Sequence, residues 1–111
     1  MSYPLATVQP VPPLLLQRIL DHLEPEQIWL FGSRARGDNR PDSDWDLLLV
    51  LPDHTPDALL DDEAIWDRCL RGLPIPADLI PVRRRDFEAF RGCPGSLCKT
   101  VSTEGVRVYE R

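Results

Sequence analysis

Lysine is almost missing from this chain: Lys99 stands alone, and basic residues total 13 against 18 acidic ones, for a net charge of −5 and a pI near 4.9. A general nucleic-acid binder or processive polymerase carries a basic stripe, so this balance argues against both. Cysteine is scarce as well. Cys69, Cys93 and Cys98 have no paired spacing, which excludes a disulfide framework and, with no secretory segment, predicts reduced thiols in a cytoplasmic protein. The C-x₄-C of Cys93 and Cys98, with His22 or His54, is not a zinc-ligand spacing either. Long apolar runs are lacking: Leu14-Leu15-Leu16 is too short to span a membrane or direct export and has no basic flank before it. There are no internal repeats and no low-complexity tail. At 111 residues the chain is sized for one domain with one core.

What is present concentrates in residues 32–46. Ile28-Trp29-Leu30-Phe31 is a short apolar run stopping at Gly32-Ser33, the pattern of a buried strand entering a tight turn. A helix starting there would aim free backbone N–H groups, the positive end of its dipole and the Ser33 hydroxyl at one point, which suits a phosphate. After a polar loop over 37–43, Leu47-Leu48-Leu49-Val50-Leu51 reads as a second strand with Asp44 and Asp46 at its mouth. Two residues apart on a strand, their carboxylates share a face about 7 Å apart.

Two like charges in one pocket raise each other's pKa, and Mg²⁺ removes that cost, typically bound by one or two carboxylates, water and substrate phosphate oxygens. Holding two metals for an in-line displacement needs a further acid. Ala77-Asp78-Leu79-Ile80-Pro81-Val82 reads as a third strand with a lone acid in an apolar context, where a charge needs a partner or a purpose. Asp78 is therefore the candidate for the remaining ligand and for orienting or deprotonating an attacking hydroxyl. A Gly-Ser turn or an Asp-x-Asp alone is weak; the ordered combination is far more specific.

Gly32-Ser33-Arg34-Ala35-Arg36-Gly37 followed by Ser43-Asp44-Trp45-Asp46-Leu47 resembles the signature of the DNA polymerase β-like nucleotidyltransferase superfamily, and the short chain resembles its minimal nucleotidyltransferase branch. The likeness runs from about residue 13 onward, since Ser96 to Glu110, with its Glu104-Gly105 and Tyr109, is similar to the ending common in that branch. The resemblance implies that Asp44 and Asp46 are the paired metal ligands, Asp78 the third acid, and Gly32 with Ser33 the triphosphate-binding turn. It also implies transfer of a nucleoside monophosphate from ATP or another NTP to a hydroxyl, with two Mg²⁺ ions as cofactors. Stand-alone members of the branch often act as antitoxins beside a HEPN-domain partner, some by adenylylating its tyrosine, so the resemblance implies such a partner here. The chain is too short for the added substrate domain of larger transferases, so a second copy or a partner protein would complete the substrate side. The alternative is a non-catalytic antitoxin or nucleotide-binding regulatory subunit that neutralises its partner by binding.

The expected fold is α/β: a small mixed β-sheet flanked by helices, ordered α-β-α-β-α-β-α, in one domain over 13–111 behind a Pro-rich lead-in over 1–12 that includes Pro4, Pro10 and Pro12. Pro13 suits a first helical position, and Leu15, Ile19 and Leu23 recur at four-residue steps to give an amphipathic helix ending before Pro25. Thr55-Pro56-Asp57 offers a cap for the third helix of this order, with Leu59, Trp66 and Leu70 as its buried stripe and Trp66 in the core. The acids at 57, 61, 62, 63 and 67 read as a solvated face, or more sharply as a docking surface for a basic partner. Arg83-Arg84-Arg85 either reaches phosphate or a partner, or caps its strand and pairs with Asp86 and Glu88. Arg34 and Arg36 fall on different faces of the turn after Gly32, so one of them points at phosphate, with Arg36 preferred. Ser43 is expected to fix its loop by a local hydrogen bond rather than to react.

Overall fold

Spacing of apolar residues decides the first element. The computed structural model describes residues 10–111; the rest of the expected lead-in, Pro4 included, lies outside the described residues. Helix α1 (Pro13–Leu23) opens on proline and buries Leu15, Ile19 and Leu23, the four-residue stripe. Leu23 is followed by Glu24 in the left-handed conformation at φ 47° and by Pro25, so the helix stops there.

Strand β1 (Gln27–Phe31) leads through Gly32 into a single helical turn, α2 (Ser33–Arg36). Strand β2 (Trp45–Leu51) is next, and Leu47 to Leu51 are all buried. Strand β3 (Ala77–Arg83) pairs with β2 in parallel, while β1 pairs antiparallel with β2 on one side and with the last strand, β4 (Val106–Glu110), on the other. The sheet is mixed, in the order β3-β2-β1-β4. A strand covered on both faces reads as a continuous apolar run, which is why 47–51 shows no alternation.

One face of the sheet packs against α1 and the segment before β3, through Leu15, Ile19, Leu30, Leu49, Ile65 and Cys69. The other face carries Trp29, Leu48 and Val50 under α4 (Arg84–Phe90) and α5 (Leu97–Glu104), which contribute Phe87, Cys98 and Val101. The final strand was not anticipated by an element order ending in helices. It is set by Gly105, where a Cβ would stand 2.6 Å from the Val101 carbonyl and 2.8 Å from that of Leu30. Only a residue without a side chain lets the chain turn this tightly out of α5 and lie against β1.

The region 57–70 departs from expectation. A 3₁₀ turn (Asp57–Leu60) and helix α3 (Asp62–Ile65) are separated by Asp61 in extended conformation, and α3 continues as a π-helical turn (Trp66–Leu70) closed by Arg71 N–H donating to the Trp66 carbonyl at 2.9 Å. The cap is Asp61, whose carboxylate accepts from the Glu63 and Ala64 N–H groups, not Thr55. Because the chain breaks at 61, a stripe counted from Leu59 does not carry its phase to Trp66. Leu59 and Leu70 do pack half-buried against the core, beside the buried Ile65 and Cys69, but Trp66 is 52% exposed, correcting its expected place inside.

Among the described residues no helix is long and apolar enough to cross a membrane. The three cysteines are free; burial pushes the Cys69 thiol up to about 11 and also raises Cys98. A thiol held protonated in this way is a small apolar side chain rather than a nucleophile.

Candidate active site

The end of β1 and the starts of β2 and β3 meet at one edge of the sheet. In register, Asp46 lies beside Phe31 on one side and Asp78 on the other. Alternation sends Trp45 and Leu47 into the α1 layer, so Asp44, Asp46 and Asp78 belong to the opposite face, the face of Leu48 and Ile80. Phe87 and Val101 pack with Leu48 and Val50 further along this face, while Asp44 and Asp78 are exposed and Asp46 is half-buried. The expectation that Asp78 is a charge sunk in apolar surroundings is corrected: it sits at a solvent-open edge, and Asp46 is the more confined acid.

The Asp46 carboxyl is held above its ordinary range, first by burial, then by the charges of Asp78 and Asp44, with Arg36 opposing the rise. Asp46 therefore feels the charge of both other acids. Gly32 closes the other side. Its φ of 75° with ψ −156° is a region open essentially to glycine, and a Cβ there would overlap Asp46 Oδ2 and stand 3.2 Å from Cγ. The carboxylate of Asp46 thus rests against the bare backbone of the turn, which brings cradle and acid into one place.

Helix α2 starts at this turn. Ala35 and Arg36 donate to the Gly32 carbonyl, so Ser33 and Arg34 hold the N–H groups that precede any intrahelical acceptor. Of the two arginines, Arg36 is exposed, pairs with Asp38 at 3.1 Å and is the one whose charge reaches Asp46. Arg34 points inward. Its guanidinium donates to the Ser43 carbonyl at 2.8 and 3.1 Å and to the Pro41 carbonyl at 3.1 Å, and lies 4.2 Å over the Trp45 ring. The Ser43 hydroxyl accepts from the Arg40 N–H at 2.8 Å and so pins the loop, as expected. Arg34 and Trp45 together tie the cradle turn to the residues immediately before Asp44. Sequence reasoning missed this role, although strand alternation already turns Trp45 inward between its two aspartates and so offers Arg34 a ring to stack on.

The donor set suits Mg²⁺, being hard carboxylate oxygens beside an anion-binding turn. Among the described residues, however, no three His, Cys, Asp or Glu side chains converge into a ready-made metal cage. The arrangement fits a cation completed by water and substrate phosphate, which asks the protein for only one or two carboxylates.

Arg83, Arg84 and Arg85 are excluded from this site by register. Arg83 pairs with Leu51 at the far end of the parallel ladder, five residues or roughly 16 Å beyond the Asp46–Asp78 pair. Arg83 binds the Thr55 carbonyl and Asp57, lowering the Asp57 carboxyl; Arg84 bridges Glu26 at 2.8 Å and Glu88 at 3.1 Å; the Arg85 N–H donates to Asp53 at 2.8 Å. Of the two partners expected for this run, Glu88 is met by Arg84 and Asp86 by none of the three.

The family described as "Nucleotidyltransferase domain" matches residues 14–106. A solved structure from Sulfolobus solfataricus, provisionally assigned as a nucleotidyltransferase, is similar in fold, with a TM-score of 0.50, 18% identity and coverage of 91% of each chain. No curated protein matches.

Proposed function

The chain belongs to the nucleotidyltransferase domain family, and on that premise we propose that it moves a nucleoside monophosphate, AMP foremost, from an NTP to a hydroxyl group, releasing pyrophosphate. The observation that carries this reading is the register pair Asp46–Asp78 with Gly32 closed against the Asp46 carboxylate. Acids and anion-binding turn then share one face and one edge.

The residues divide the work. Gly32 and Ser33 present backbone N–H groups and a hydroxyl to the β- and γ-phosphates, and Arg36 adds a positive charge at the rim. Asp44 and Asp46 would hold Mg²⁺, with Asp78 sharing a second ion. Bound there, the metal neutralises charge on the phosphate oxygens and lowers the pKa of the acceptor hydroxyl. Asp78, exposed beside Asp46, orients that hydroxyl and accepts its proton as the new O–P bond forms and the bond from the α-phosphorus to the leaving pyrophosphate breaks.

A protein acceptor fits the chain better than nucleic acid. Net charge is −5, so the protein offers a polyanion no general attraction. The open edge at Asp44 and Asp78 leaves the acceptor side to a partner, for which a tyrosine of a HEPN-domain toxin is the reading taken from sequence resemblance, with the chain acting as its antitoxin.

The test is incubation with α-labelled ATP, Mg²⁺ and the protein encoded beside it. Label is expected on a partner tyrosine, lost with Asp44→Asn or Asp46→Asn. Full transfer by either variant would sink the assignment of the acids. If partner neutralisation persists in Asp78→Ala with no labelling at all, the chain works by occlusion instead.

A further inference from the structure

The groove on the outer side of α3 is unused by the site above. It encloses about 440 Å³ and is lined by Asp62, Glu63, Trp66, Asp67 and Arg71. Trp66 is 52% exposed, whereas Trp29 and Trp45 are buried. A large aromatic ring at an open groove is the kind of anchor on which binding energy concentrates.

The groove also shows which chemistry it holds. The chain's own Arg71 guanidinium lies 5.4 Å from the Trp66 ring centroid and pairs with Asp67 at 2.6 Å. That contact shows ring and carboxylate together forming a seat for a guanidinium. Arg71 satisfies only one of the three lining acids: among the described residues Asp62 and Glu63 have no ion-pair partner. Over residues 61–71, four acids stand against two arginines. The unfilled part of the groove is therefore an anionic rim around a half-open indole.

We propose that this groove docks an arginine-bearing segment of a partner protein, a guanidinium stacking on Trp66 while Asp62 and Glu63 take the neighbouring positive charges. Arginine fits better than lysine because a planar guanidinium can stack on an indole while pairing with a carboxylate, as Arg71 does with Trp66 and Asp67. The groove belongs to the α1 side of the sheet, through Ile65 and Cys69, whereas Asp46 and Asp78 lie on the opposite face. Docking here leaves the open edge at the acids free, and it stands whether or not nucleotide transfer occurs.

The experiment uses the full chain and a synthetic peptide of alternating glycine and arginine, with its lysine counterpart as control, followed by indole fluorescence and by calorimetry. Saturable binding of the arginine peptide is expected, tighter than the lysine peptide and weakened about tenfold or more by Trp66→Ala. The double variant Asp62→Asn, Glu63→Gln should flatten its salt dependence. All three positions are exposed, so the variants keep the fold, and unchanged melting temperature checks this. Absence of saturable binding, equal binding by Trp66→Ala, or no preference for arginine overturns the proposal. Concentration-dependent self-association that Trp66→Ala abolishes would give the groove to a second copy and overturn it equally.

Discussion

Asp46 is the residue at which stability and chemistry oppose each other. Its carboxyl is raised above the ordinary 3.8 by burial and by Asp78 and Asp44. A raised acid contributes stability fully present below its unfolded pKa and lost as pH rises through its folded value, so at neutral pH the charge works against folding. Asp46→Asn should therefore melt higher than the native chain at about pH 7, with the difference shrinking as pH falls below the carboxylate range in a pH series of thermal melts. Added Mg²⁺ with a non-hydrolysable NTP should raise the melting temperature of the native chain and leave Asp46→Asn unmoved. Arg34 makes a second residue-scale prediction. Arg34→Ala removes charged hydrogen bonds to two carbonyls and a stacked ring, and should cost about 2–3 kcal/mol in denaturant unfolding. Arg36→Ala, on the exposed rim, should leave stability within about 0.5 kcal/mol while raising KM for the nucleotide.

Elements explain which parts of this architecture could be read in advance. Helix α1 was legible because Leu15, Ile19 and Leu23 keep one phase without interruption, and β2 because a five-residue apolar run between Asp46 and Pro52 has few other uses. Trp66 was not legible. Its placement depends on the break at Asp61 and on the wider π turn that follows, and nothing in the spacing of 59, 66 and 70 announces a reset of phase. Asp61→Ala should accordingly cost about 1 kcal/mol through the lost cap, whereas Thr55→Val should not unwind α3. In the central strand, Leu49→Ala should cost about 2–5 kcal/mol, because Leu49 is fully buried. Both values are accessible from urea unfolding curves.

Across the whole molecule, the candidate site was more legible than the surface around it. Gly32, Asp46 and Asp78 are local signals, each fixed by a strand end, and the parallel register of β2 and β3 brings two of them side by side. Arg83 to Arg85 were ambiguous because only the length of the ladder shows that they lie at its other end. The final strand escaped notice for a related reason: its partner, β1, is remote in sequence, and five residues of β4 alternate too briefly to stand out. The acid excess makes a further expectation at this scale. A labelled DNA duplex or single strand should show no saturable anisotropy change with the native chain at about 0.1 M salt, and tight binding would overturn the preference for a protein acceptor.

The place of β4 has a consequence for the birth of the protein. Gln27 in β1 finds Glu110 in β4, 83 positions later. While the chain is being synthesised, β1 can pair with β2 as soon as that strand emerges, but its outer edge offers unpaired N–H and C=O groups until 106–110 arrive. Stalled or prematurely terminated products would carry a nearly complete sheet with one sticky margin. Fragments ending before Val106 should therefore aggregate at concentrations where the full chain stays dispersed, a difference that light scattering reads directly.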